Sequence, residues 1–165
     1  EIGKLAGVGS RSIAPFRRHI FQTRSDARID PAWPFVWHDD IDVYFRPEEG
    51  GLLMSACDAE PHPPADAEVD PAAERELQER VAAAFPRLAP AAVVGSRGCL
   101  RTFAADARLV IGRDPDLEGF VWVAALGGHG MSASYAIGRL GAAAVLGEDL
   151  PELGFYDPAR LAGRA

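Results

Sequence analysis

Few stretches of this 165-residue chain combine residue types that do chemistry at a workable spacing. The densest is VWVAALGGHGMSASYAIGRLGAAAVLGED, residues 121–149. Within it, Gly128-His129-Gly130-Met131-Ser132-Ala133 fits the pattern G-x-G-x-x-A, after an apolar run that reads as strand and before one that reads as helix. Such a turn suits phosphate, because glycines let backbone amides close on an oxyanion and a helix N-terminus favours negative charge. Glu148 lies twenty positions after Gly128, near where a ribose-binding acid is expected. The context argues against a dinucleotide fold. That acid should end a second parallel strand, whereas Glu148 leaves a helix, Pro151, Gly154 and Pro158 follow, and only seventeen residues remain. Two narrower readings stay open. In one, free N–H groups at the turn meet an anion or a carbonyl oxygen, and the glycines admit a flat ligand. In the other, the turn serves close strand–helix packing alone.

The remaining reactive residues give less. Cys57 and Cys99 are the only two cysteines and make no disulfide framework, so a reducing cytoplasm is the expected compartment. His19, His38 and His62 have no metal-ligand spacing to Cys, Asp or Glu, and no metal is expected. Trp33, Trp37 and Trp122 read as core residues. A net charge of -7 argues against nucleic acid or an anionic membrane surface as partner. No apolar run is long enough for a transmembrane helix and no signal-peptide pattern opens the chain. With 48% hydrophobic and 25% charged residues the chain should fold as a globule. It opens on Glu1 rather than Met, as a processed or truncated piece would.

The elements that must position these residues are α+β. SIAPFRRHIFQTRS (12–25) reads as a strand. Residues 34–58 read as strands around a turn at Glu49-Gly50-Gly51, with Val43, Phe45, Leu52 and Met54 on one face. A Pro- and Asp-rich loop leads to a helix with Asp70 as N-cap and Pro71 in its first turn; Leu77, Val81, Ala84 and Phe85 form its stripe and Pro86 ends it. Two extended segments follow. FVWVAAL (120–126) reads as a strand buried on both faces, residues 131–146 as a helix apolar nearly all round, and the Pro-broken tail mostly as loop. A strand and a helix of that kind require a further layer, from a second chain or from an N-terminal part not present.

Three segments together carry a family resemblance: YFRPEEGGLLMSACD, the stretch GCLRTFAADARLVIGRDPDLEGFVWVAALGGHGMSASYAIGRLGAAAVLG, and YDPARL. In order and spacing they resemble the C-terminal part of FAD-dependent oxidoreductases of the D-amino-acid oxidase superfamily, which includes glycine oxidase and monomeric sarcosine oxidase. The likeness is clearest over 42–160. It implies an antiparallel-sheet substrate-binding domain (11–97, partial), a C-terminal strand and helix of an otherwise missing Rossmann-like FAD domain (98–148), and a tail (149–165). The family's N-terminal G-x-G-x-x-G segment is not in this chain, so FAD binding would need that missing part as partner.

The same resemblance implies site residues. Gly127, Gly128, His129, Gly130 and Met131 would face the flavin ring rather than a pyrophosphate. Arg101 stands in CLRT where relatives often have GLRP or GLRS, and would pair with a substrate carboxylate; a guanidinium fork suits that task. Sarcosine oxidase lacks this arginine. Tyr44 matches a pocket-lining tyrosine of glycine oxidase, and His129 is placed to influence flavin or substrate amine. Arg46 is read as facing away from Tyr44 and structural. Cys99 falls where sarcosine oxidase links its flavin through a thioether, which leaves a covalent link open; Cys57 has no such match. The implied activity is oxidation of the C–N bond of a small amino acid or amine, with FAD as hydride acceptor. The isolated chain would be inactive. Two alternatives remain: a 2-hydroxy-acid or glycerol-phosphate dehydrogenase branch, or a non-catalytic interaction subunit.

Overall fold

The computed structural model describes residues 1–9 and 11–161. The last four residues of the segment assigned above as tail lie outside that range. The fold is α+β with antiparallel sheets, and a short helix, α1 (Ile2–Leu5), precedes the first strand. The chain divides into two compact units: residues 17–100, and residues 1–16 with 101–165.

In the 17–100 unit, alternating sequence becomes a two-faced sheet. Strands β2 (Val36–His38), β3 (Val43–Glu48) and β4 (Gly51–Ser55) form an antiparallel meander next to β1 (Ile13–Thr23). Strands β5 (Glu60–Pro61) and β6 (Val93–Ala104) also pair with β1, and both β1 and β6 have residues in each unit. The β3–β4 hairpin turns at Glu49 and Gly50, and Gly50 takes φ +79. Phe45 faces Met54 across the ladder, and Val43, Phe45, Leu52 and Met54 are buried as the alternation requires. Each such side chain stabilises the fold by about 1.5–3 kcal/mol on burial.

Helix α2 (Pro71–Ala84) covers that face with Ala73, Leu77 and Val81. Asp70 caps it, its carboxylate accepting from the Ala72 amide at 2.8 Å, and Pro71 opens it. Ala84, assigned to the apolar stripe from sequence, is half-buried, and Ala73, one turn before Leu77, is buried with Leu77 and Val81. His19 is 1% exposed and braces the start of the helix. Its Nε2 accepts from the Asp70 amide at 2.9 Å, so Nδ1 carries the proton and donates to Asp58 Oδ2 at 2.7 Å.

In the other unit, β7 (Val110–Arg113) and β8 (Val121–Ala124) form an antiparallel pair with Gly112 opposite Trp122. The loop between them is built on Asp114. Its carboxylate accepts from Arg11 at 2.7 and 2.9 Å, from Trp122 Nε1 at 2.7 Å and from the amides of Asp116 and Leu117. Burial pushes the Asp114 pKa up; the Arg11, Trp122 and Asp116 hydrogen bonds and the Arg11 charge outweigh it and bring it down to about 2.

Helix α3 (Ser134–Leu146) packs Ile137 and Leu140 against Ile111 of β7. It ends at Gly147, φ +76, with Arg113 donating to the carbonyls of Ala144 and Val145, where a cation suits the helix dipole.

Four expectations need correction. Helix α3 begins at Ser134 rather than 131, because residues 127–133 are spent in turns that start from left-handed Gly127 and Gly128. Strand β8 is not buried on both faces: Trp122 is 8% exposed but Val123 is 47% exposed, and the strand ends at Ala124. The tail is not mostly loop. It forms α4 (Pro151–Tyr156) and a 3-10 turn at Pro158–Leu161, held by Arg160, which donates to Asp106 and to the carbonyls of Tyr156, Asp157, Arg108 and Leu109. Of the tryptophans only Trp122 is core; Trp33 and Trp37 are 37% and 52% exposed.

Candidate active site

Arg101 lies on β6, a strand long enough to hold its side chain at a fixed place in the register. The apolar strand β8 delivers the glycine turn to it. Ala125 turns the chain at φ +55, and Gly127 and Gly128 follow at φ +55 and +93, values that glycine adopts without strain. The Gly127 amide donates to the Thr102 carbonyl at 3.0 Å, which ties the turn to the residue next to Arg101.

Both glycines are also required by close approach. A Cβ on Gly128 would lie 3.1 Å from Cδ and Nε of Arg101, and one on Gly127 would lie 3.0 Å from the Phe103 ring. The stem of Arg101 therefore rests on the backbone of the turn. Phe103 is backed by Phe16, edge to face, at 5.6 Å.

From Gly128 the chain climbs into α3 through linked turns. The His129 amide donates to the Leu126 carbonyl at 2.8 Å, and the His129 carbonyl accepts from the Ala133 amide and the Ser132 hydroxyl. Among the described residues, none accepts a hydrogen bond from the amides of Gly128, Gly130, Met131 or Ser132. No side chain caps the helix. These donors lie in the turns that lead into α3, whose first turn carries the positive end of the helix dipole. The His129 side chain is exposed, and Met131 is 88% exposed.

Arg101, Gly127, Gly128, His129, Gly130 and Met131 are thus brought to one turn. Cys99 is half-buried on the same strand, two residues before Arg101. Tyr44 belongs to the 17–100 unit. It pairs with Trp37 across the β2–β3 ladder and touches the ring of Phe35. Arg46, expected to face away, shares Tyr44's face, since residues two apart on a strand point the same way; it pairs with Glu48. Cys57 has no part in this turn, and burial pushes its thiol pKa up, away from nucleophilic use. Among the described residues no His, Cys, Asp or Glu cluster could hold a metal, and no helix is long and apolar enough to cross a membrane.

Phe35, Trp37 and Phe103 were not singled out as site residues from sequence, Trp37 having been read as core. The signal for the first two was available: with Tyr44 fixed by the hairpin register, Trp37 must stand opposite it. Nothing in the sequence pairs Phe103 with Gly127.

The model of the FAD-dependent oxidoreductase family matches residues 1–144. The chain belongs to that family. Similar solved structures are L-proline dehydrogenase from P. horikoshii (TM-score 0.82, 21% identity, 96% of this chain and 43% of that one), iminodiacetate oxidase from Chelativorans sp. BNC1 (0.76, 23%, 89% and 40%) and glycine oxidase from Geobacillus kaustophilus (0.75, 22%, 99% and 42%). This chain of an FAD-dependent oxidoreductase therefore spans about two-fifths of the structures it matches. Its free amides fit the family's cofactor, because a reduced flavin carries negative charge that such donors stabilise.

Proposed function

We propose that this chain belongs to a flavoenzyme that oxidises the C–N bond of a small amino acid or amine. Bound FAD supplies the two-electron acceptor for the hydride on the substrate's α-carbon, and the resulting imine hydrolyses. The protein's part is binding, orientation and electrostatics. The backbone at Gly127, Gly128, His129, Gly130 and Met131 would meet the flavin ring, and the unengaged amides would stabilise negative charge on it. Arg101 grips the substrate carboxylate through its guanidinium fork, and Tyr44 offers its hydroxyl to the substrate. His129 stands by the reacting amine. Cys99 is the thiol that would hold a covalent flavin; acid precipitation of the holoenzyme decides this, by colour in the pellet or in the supernatant.

One observation carries the reading: an arginine packed onto the glycine turn that opens the amide-rich start of α3. The full-length protein should bleach its flavin anaerobically with amino acids and not with 2-hydroxy acids or glycerol phosphate. Arg101→Ala should raise KM for an amino acid about 10- to 100-fold, the worth of a charged bidentate hydrogen bond of about 1.5–3 kcal/mol. The matching amine without a carboxylate should be unaffected. An equal loss on both substrates would remove Arg101 from the site; bleaching by hydroxy acids alone would change the bond oxidised.

A further inference from the structure

One face of β6 seats the glycine turn at two points. Arg101 and Phe103 lie two apart on the strand and so point the same way. The turn meets them with successive residues. A Cβ at Gly128 would lie 3.1 Å from Cδ and Nε of Arg101, and a Cβ at Gly127 would lie 3.0 Å from Cε1 and 3.3 Å from Cδ1 of Phe103. Gly127, at φ +55, is also held by its amide, which donates to the Thr102 carbonyl at 3.0 Å. Phe16 backs the Phe103 ring edge to face, at 5.6 Å and 78°. Both rings are half-buried, and among the described residues neither joins an apolar cluster of the core. The ring pair thus serves the turn rather than the core.

We infer that Phe103 is a positioning residue for the flavin: backed by Phe16, its ring fixes Gly127 and, through Gly127, the aim of the amides of Gly128, Gly130, Met131 and Ser132. This rests on the reading that the turn meets the flavin ring. Those four amides have no acceptor among the described residues, so the backbone of the turn alone sets where they point. Donors stabilise charge only where they are held at it, and a glycine backbone is free to move unless something confines it. An aromatic ring is a suitable wall, because it presents a large area with few rotatable bonds. Phe103 acts through the Gly127 backbone and not by touching the flavin.

The test uses the full-length holoenzyme with Phe103→Val and Phe103→Tyr. The first removes both ring atoms that meet Gly127 and, being β-branched, suits a strand; the second keeps them. Hydrogen exchange of the Gly127 amide reads the seat, and the flavin midpoint potential reads what the seat does. Phe103→Val should speed that exchange about tenfold, the order of a lost aromatic contact. It should also weaken the preference for reduced over oxidised flavin about tenfold, which is a midpoint potential about 30 mV lower for a two-electron couple. Phe103→Tyr should stay within about twofold of wild type on both measures. Gly119→Ala, which strains a turn elsewhere in the same unit, should move neither, and a thermal melt confirms that each variant is folded. Unchanged Gly127 exchange in Phe103→Val, or exchange raised as much by Phe103→Tyr or Gly119→Ala, overturns the positioning role and leaves the flavin reading standing. Faster exchange in Phe103→Val with an unmoved potential instead overturns the contact of the turn with flavin and reduces Phe103 to a packing residue.

Discussion

Replacing Gly128 by alanine separates two jobs of one glycine. Gly128 has φ +93, and alanine in such a conformation costs about 1–3 kcal/mol. The new methyl also starts 3.1 Å from Cδ and Nε of Arg101, while ordinary contact begins at 3.4 Å, so the arginine stem must retreat by at least 0.3 Å. Misplacement by 1 Å costs on the order of 100-fold in rate, so a shift of roughly 0.3–0.5 Å predicts about a 4- to 10-fold loss. Two other glycines isolate the terms. Gly119 has φ +80 and nothing within 4 Å of its Cβ position, so Gly119→Ala carries the backbone cost alone. Gly138 lies in α3 with open space around it, so Gly138→Ala carries neither and should stabilise the helix by about 0.5–1 kcal/mol. The assay is a thermal melt, FAD affinity and kcat/KM of the full-length protein for an amino acid and for its decarboxylated amine. Gly119→Ala and Gly128→Ala should melt lower by similar amounts, and only Gly128→Ala should lose amino-acid kcat/KM. If Gly128→Ala binds FAD normally and leaves amino-acid kcat/KM intact, Arg101 is not positioned by the turn. If both substrates suffer alike, the turn acts on something other than the carboxylate grip.

Two further outcomes concern what holds the 1–16 and 101–165 unit together. Arg160→Ala removes a guanidinium that binds Asp106 and four carbonyls with both charged side chains at 13% exposure. It should cost about 1.5–3 kcal/mol, read by urea unfolding, because the charged hydrogen bonds are lost while Arg108 still pairs with Asp106; a loss under about 1 kcal/mol would show that the tail is held otherwise. Asp114 has a folded pKa lowered to about 2 against an ordinary value of 3.8. A depressed carboxylate adds stability that is fully present above the unfolded pKa and is lost as pH falls through the folded one. Wild type should therefore lose part of its stability between about pH 4 and 2, and Asp114→Asn should flatten that part of the profile. Circular dichroism across an acid titration reads the step; an unchanged acid profile in Asp114→Asn would discharge this carboxylate from the effect.

The parts of the fold that were legible are those written in short-range pattern. The β3–β4 hairpin follows from Val43, Phe45, Leu52 and Met54 alternating about Glu49-Gly50-Gly51, and each of the four is buried. Helix α2 follows from Asp70, Pro71 and the terminating Pro86. What was missed depends on long-range partners. The tail was read as loop because Pro151 and Pro158 break its pattern, yet a proline at a first helical turn opens a helix as well as ending one. It is the Arg160 guanidinium, reaching Asp106 fifty-four residues away, that fixes it.

The candidate site divides the same way. The glycine turn was visible because its constraint is local: positive φ at Gly127 and Gly128 demands glycine whatever lies beside them. That Gly128 supports Arg101 was not visible, since the two lie twenty-seven residues apart and meet only because the Gly127 amide pairs with Thr102. The aromatic face was misjudged for another reason. Composition alone places tryptophan inside, where its area is best used, and it put Trp37 there. Register decides otherwise: opposite Tyr44, with Val36 and Phe45 already supplying the core side, Trp37 has only the other face to occupy. A large apolar ring kept half exposed on a sheet whose core is already filled is the feature that residue type cannot predict.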